Sequence, residues 1–326
     1  MDPVRLSETV LVHRLVFEVR ALDPIRLPDF AGSMLRGAYG HALRRLACMT
    51  GAKLCAGCGL AQLCPYPALF EPSIRVLTTP RGGAPPPPFA IEPPDAERKI
   101  APGEKWRFGL RLFGDRIASL ALIIEAVRRA VSRGLGTALA RGLLTDVWLD
   151  TGEGWRSVYD AASGAVAPPE ADAAWRPAAP DAAAAIALAL LTPLRVQSNG
   201  RRLPPAEITV RRLTLDILRR ARALLGVCGT AEQQAAAAAW PIEHYLEAAD
   251  ACAITHELKW FDWTRASSRQ NRTINHGGWL GQLVVHAQAQ PELPARVLDA
   301  LALGAKIGIG KECVFGFGQY ALKPVA

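Results

Sequence analysis

Residues 165–181 are a run of alanine, proline and acids with no apolar period, and the same alternation of strand-like and helix-like segments recurs on either side of it. A stretch of that composition cannot bury a face, so it reads as a linker between two cores, which a chain of 326 residues is long enough to hold. Before it, residues 11–20 (LVHRLVFEVR) alternate as a strand rich in branched side chains. A helix follows, with Ser33 as its expected N-cap, Leu35, Tyr39, Ala42, Leu43 and Leu46 on an apolar face, and Gly37, Gly40, His41 and Arg44 on the opposite one. Four consecutive prolines at 85–88 require an extended connector. Residues 106–113 then alternate as a strand, 117–132 have helical spacing, and 143–159 read as a hairpin turning at 151–154.

After the linker, strands are expected over 185–196, 255–265, 280–287 and 314–322. Helices are expected over 206–225 and from Pro294 to just before Gly304. Both halves thus approximate the β-α-β-β-α-β order of a ferredoxin-like, or RRM-like, domain. The expected class is α+β, with an N-terminal domain over 1–164, the linker over 165–181 and a C-terminal domain over 182–326. The duplication rests on element order, because no sequence repeat accompanies it.

Half of the residues are hydrophobic and 21% are charged, which excludes general disorder. No apolar run reaches the roughly 18 residues of a membrane span, and the amino terminus lacks a secretory pattern, so the expectation is a cytoplasmic protein without a membrane partner. Of the 38 basic residues 31 are arginine, and the net charge is +8. The planar guanidinium fork suits phosphate and stacks on bases, so the surplus points toward nucleic acid, although a GC-rich genome would favour arginine codons as well. The seven cysteines, an odd number in a reducing compartment, argue against a disulfide framework.

Two Gly-x-Gly pairs stand near the carboxy terminus: Gly308 and Gly310, then Gly316 and Gly318, with Lys311 between them. Glycines let backbone approach phosphate or another chain closely. The pattern is no Walker loop, since Glu312 follows Lys311 and a strand is expected next, and it is no Rossmann loop, since Gly-x-Gly-x-x-Gly is absent. Upstream, no acid occurs between Trp263 and Pro291, while Arg265, Arg269 and Arg272 do. Along one strand Trp263, Arg265, Ser267, Arg269 and Asn271 would share a face able to stack on bases, meet phosphates and bond base edges.

With this glycine loop the sequence resembles the RAMP superfamily of CRISPR systems, and within it the endoribonucleases that process precursor CRISPR RNA. Leu35-Arg36-Gly37-Ala38-Tyr39-Gly40, Leu191-Thr192-Pro193-Leu194-Arg195 and Arg265-Ala266-Ser267-Ser268-Arg269-Gln270 look similar to the same enzymes, in the expected order. The resemblance implies tandem ferredoxin-like domains that bind repeat RNA, with metal-independent cleavage in which a ribose 2′-OH attacks the adjacent phosphate. The alternative it leaves open is a non-catalytic RAMP subunit holding guide RNA in an effector complex. A metal-dependent nuclease is disfavoured, because no cluster of Asp, Glu and His resembles a two-metal site.

His41 sits on the polar helix face with Gly37 one turn before it. A near-neutral imidazole can take the 2′-OH proton or protonate the leaving 5′-oxygen, while Arg36 or Arg44 offsets phosphate charge. In the resembled family a histidine of the early helix often serves catalysis. His276 is the second choice, and Tyr39 is expected in the core. Cys48, Cys55, Cys58 and Cys64, spaced C-x6-C-x2-C-x5-C, are expected to hold one structural ion, zinc ahead of an iron–sulfur cluster. Four thiolates leave no open position, so that ion would shape a loop and take no part in cleavage.

Overall fold

The alternating run that opens the N-terminal half forms strand β1 (Val12–Ala21). The computed structural model describes residues 5–75, 84–94, 99–169, 174–177, 183–267, 272–288 and 290–325, with the backbone alone over 263–267 and 272–276. Its contacts divide the chain into two units, one of Leu11–Trp175 with Gly226–Gly229 and the other of Met1–Val10, Arg176–Leu225 and Thr230–Ala326.

In the first unit β1 is followed by α1 (Gly32–Ala47), α2 (Pro65–Phe70), β2 (Phe89–Glu92), β3 (Lys105–Phe113), α3 (Leu120–Arg133), β4 (Gly142–Asp150) and β5 (Trp155–Ser157). The sheet order is β2-β3-β1-β4-β5, antiparallel throughout. With β5 as an added edge, this is the ferredoxin-like arrangement. The register sets Phe17 opposite Phe108, their rings stacked 5.2 Å apart. Helix α3 adds Ile123, Ile124, Val127 and Val131 to the core at helical spacing, each worth about 1.5–3 kcal/mol on burial.

The second unit repeats this plan with β6 (Ala185–Leu190), α4 (Val210–Cys228), α5 (Ala231–Ala238), α6 (Ile242–Asp250), β7 (Cys252–Ser267), β8 (Arg272–Ala287), α7 (Ala295–Ile307) and β9 (Tyr320–Pro324). Its order, β7-β8-β6-β9, is again antiparallel and has the same topology. No helix among the described residues is long and apolar enough to cross a membrane.

Several expectations change. Ser33 lies inside α1, whose N-cap is Ala31. Helices α5 and α6 were not legible, because the alanine-rich α5 carries no apolar stripe and is started instead by a capping box between Thr230 and Gln233. Helix α7 runs through Gly304 to Ile307: the missing side chain there admits the Tyr320 hydroxyl and Ile217 against the helix. The final strand starts only at Tyr320, since Glu312 and Gly316 are left-handed and flank a short 3-10 turn. Strand β7 is described to Ser267, which pairs with Arg272 of β8; of the strand face expected from Trp263 to Asn271, Arg269 and Asn271 lie outside the described residues. Trp175, within the stretch expected as linker, packs on the first sheet: its amide donates to Val12 O at 2.8 Å, and the Arg14 and Arg111 guanidiniums lie 5.3 and 4.6 Å from its ring.

Candidate RNA-cleavage site and glycine-rich loop

Helix α1 is anchored by Leu35, Tyr39, Ala42 and Leu43, all buried. Gly40, expected on the polar face, is instead on the packed side, where a Cβ would come 2.6 Å from Cε1 of Phe70. Tyr39 is a core residue, as expected, and burial pushes its hydroxyl up, far from acid–base use. The opposite side presents His41, exposed, and a Cβ on Gly37 would meet nothing within 4 Å, so a ligand can come close to the backbone beside the imidazole. Arg45, one turn after His41, is exposed as well and was not singled out by sequence.

The two arginines considered with His41 are engaged within this unit. Arg36 lies 5.1 Å from the Phe70 ring centroid. Arg44 donates from Nη2 to Ala52 O at 2.7 Å and Lys53 O at 2.5 Å, and stacks 5.6 Å from Tyr66. That geometry ties the helix to the cysteine-bearing loop.

The four cysteines of that loop are half-buried, unbridged, and share one apolar pocket of about 230 Å³. Thr50 Oγ1 stands 3.9 Å from Cys48 Sγ and 3.6 Å from Cys58 Sγ. The Cys58 amide donates to Cys55 O at 3.1 Å, closing the tight turn of C-x2-C around the left-handed Gly57. The Thr50 hydroxyl pulls the Cys48 thiol below its ordinary range, and burial pushes Cys55 above it. Among the described residues no group of three or more His, Cys, Asp or Glu is placed to hold an ion.

In the second unit the glycine-rich loop spans the turn from α7 to β9. Gly308, Gly310, Gly316 and Gly318 all have positive φ. A Cβ on Gly310 would overlap Arg195 O, and one on Gly318 would overlap Ile309 O. These glycines therefore meet an internal packing demand whatever else they do. The amides of Gly308, Ile309, Lys311, Phe315, Gly316, Phe317 and Gly318 are donated inside the unit, whereas Lys311 projects an exposed side chain. Gly318→Ala is expected to lower stability by at least about 2 kcal/mol, because left-handed strain adds to backbone overlap; an unchanged thermal midpoint would contradict this packing account.

Strands β7 and β8 carry the remaining residues singled out by sequence. Arg265 pairs with Ile274 and Ser267 with Arg272 in backbone register, while Arg269 lies outside the described residues. Nearer the body of the sheet the structure reveals an aromatic pair that the sequence reading missed. Trp260 and Trp279 are cross-strand partners with ring centroids 4.8 Å apart, and Arg202 lies 5.3 Å from Trp260. The signal was Gly277-Gly278: a Cβ on Gly277 would overlap the Trp260 indole, and one on Gly278 would come 2.8 Å from Pro193 Cβ.

Residues 9–171 match a family model described as AF_1859_N, N-terminal domain, and residues 188–320 match that of the CRISPR-associated endoribonuclease Cas6. Residues 188–320 belong to the Cas6 family. Among solved structures, a Cas6 product complex is 18% identical with a TM-score of 0.54, covering 96% of this chain and 100% of that one. A Thermus thermophilus Cas6 gives 17% and 0.50, with 96% and 99% covered. A partial Cas6-RT-Cas1–Cas2 complex gives 12% and 0.51, with 96% of this chain and 46% of the other covered. At these identities the structural likeness is one of fold. Curated proteins give no match. The Cas6 match includes the glycine-rich loop, the Arg195 segment and both long strands, so the two Trp residues and Arg202 lie in the part of the chain that carries the family signature.

Proposed function

We propose that this chain cuts CRISPR repeat RNA to release guide RNAs, with the ribose 2′-OH before the scissile phosphate as nucleophile. The observation that carries the site is the pairing of an exposed His41 with open space over Gly37 on one helix face. The base removes the 2′-OH proton, the O2′–P bond forms as the P–O5′ bond breaks, and a proton is delivered to the departing 5′-oxygen. The products are a 2′,3′-cyclic phosphate and a 5′-hydroxyl. His41 performs one of the two proton transfers, and exposed Arg45 sits one turn away to offset phosphate charge. Lys311 is the outward charge of the glycine-rich loop, with Arg265, Ser267, Arg269 and Arg272 contributing RNA contacts from the long hairpin. Incubating purified protein with repeat RNA in the presence of EDTA tests the reading; defined products with cyclic-phosphate ends support it. A transcript substrate places the reaction in the cytoplasm, and guide RNA retained after cleavage would carry the chain into an effector complex.

We further propose that Cys48, Cys55, Cys58 and Cys64 hold one structural ion, zinc ahead of an iron–sulfur cluster. Support comes from their common pocket and the tight turn between Cys55 and Cys58. Binding would draw the four sulfurs together and release protons from the thiols, coupling metal to local folding. Elemental analysis is expected to find near-stoichiometric zinc, or iron with visible absorbance, and Cys58→Ser is expected to lose it and melt earlier. Metal-free parent protein, with Cys58→Ser melting alike, would remove this proposal.

A further inference from the structure

The glycine-rich loop carries an acid where a segment meant to meet phosphate has least use for one. Glu312 directly follows the exposed Lys311, and its φ of +63° makes it one of three left-handed non-glycine residues among the described residues. Such strain persists only where the surroundings over-determine it. Here Arg195 does so, at four points. Its carbonyl accepts the Lys311 amide at 2.9 Å and bars any side chain at Gly310. Its Nη1 stands 3.1 Å from Glu312 Oε1, and its guanidinium lies 5.6 Å from the ring of buried Phe317. Its Nε donates to Gly277 O of β8 at 2.8 Å. Both members of the ion pair are largely withdrawn from water, with side-chain exposures of 9% and 20%.

We propose that Arg195 and Glu312 form an internal brace that positions the glycine-rich loop for RNA, in which Arg195 acts by holding the Glu312 carboxylate inward. Held so, Glu312 neutralises a buried cation, and Lys311 is left as the charge that the loop shows to a phosphate. Without Arg195 the carboxylate loses the guanidinium that pairs it, and turns toward the solvent beside Lys311, where it repels the RNA backbone. Arg195 and Glu312 are positioning residues and touch no reacting atom. This inference rests on the RNA reading above.

Repeat-RNA affinity should be measured for the parent, Arg195→Met, Glu312→Gly and the double variant. Methionine keeps the apolar stem beside Phe317, and glycine accepts the left-handed backbone. Arg195→Met is expected to bind roughly five- to tenfold more weakly, the size of one exposed charge–charge contact. Glu312→Gly alone should bind at least as tightly as the parent, and the double variant should regain parental affinity. A double variant no better than Arg195→Met, or a Glu312→Gly variant that binds more weakly than the parent, overturns the brace. Should Arg195→Met not fold, the Glu312→Gly comparison decides alone. Hydrogen exchange of amides 308–318 in the same proteins supplies an arm free of RNA. The brace requires faster exchange in Arg195→Met, and unchanged exchange overturns it. A parent that binds no repeat RNA, with loop exchange still responding to Arg195→Met, would refute the functional reading while upholding the brace.

Discussion

A repeat RNA whose nucleotide before the scissile phosphate lacks its 2′-hydroxyl is expected to bind normally and remain uncut. The reason is the origin of the nucleophile. A neighbouring hydroxyl held next to phosphorus enjoys an effective concentration of about 10⁵–10⁸ M, which no water molecule in the site can match, so deleting it should lower the rate by roughly 10⁵-fold or more. Affinity should hardly change, because one hydroxyl among many phosphate and base contacts is worth about 1 kcal/mol at most. On unmodified RNA, EDTA should leave the rate of bond breaking untouched. The measurement is single-turnover cleavage of matched ribose and 2′-deoxy substrates, with end-group analysis of the products. Cutting of the deoxy substrate, or chelator-sensitive cutting that leaves a 3′-hydroxyl, would mean that an activated water attacks and that the proposed mechanism is wrong.

What the sequence disclosed and what it hid follow one physical division. Alternation in residues 11–20 and 106–113 is a local property of a half-buried strand, and it located β1 and β3 to within a residue or two. Two ferredoxin-like units were legible for the same reason, since the order of elements needs no knowledge of contacts. Contacts between distant residues were not legible. Gly310 reads as a glycine suited to phosphate, yet its immediate constraint is the carbonyl of Arg195 in another segment. Gly40 falls on the polar side of a helical wheel, yet Phe70 of α2 occupies the space a side chain would need. Arg44 was a natural partner for His41 by spacing, and only the path of residues 52–53 shows that it is committed to their carbonyls. The exposure of His41, by contrast, was legible because the side of a helix opposite an apolar stripe is set by helical period alone. In the cysteine loop, spacing suggests a ligand set, while gathering four sulfurs onto one point would depend on an ion.

His41→Ala is expected to reduce cleavage at saturating RNA by about 10²–10⁴-fold, the usual worth of a positioned proton-transfer group. Binding should persist, because an exposed side chain on a folded helix contributes little to either stability or the summed phosphate contacts. This split between rate and affinity separates catalysis from packing: the core of α1 is built from Leu35, Tyr39, Ala42 and Leu43, none of which the substitution disturbs. A further readout sharpens the test: added imidazole should restore part of the rate lost in the variant, since open space over Gly37 leaves room for it. Arg265→Ala and Lys311→Ala should do the reverse, weakening binding and flattening its salt dependence while the rate from the bound state changes far less. If His41→Ala cuts at the parental rate, the proton is moved by another group and His276 on β8 becomes the next residue to replace. If the parent binds repeat RNA tightly and never cuts it, the exposed face of α1 is a contact surface, and the chain works as a guide-RNA holder within a larger complex.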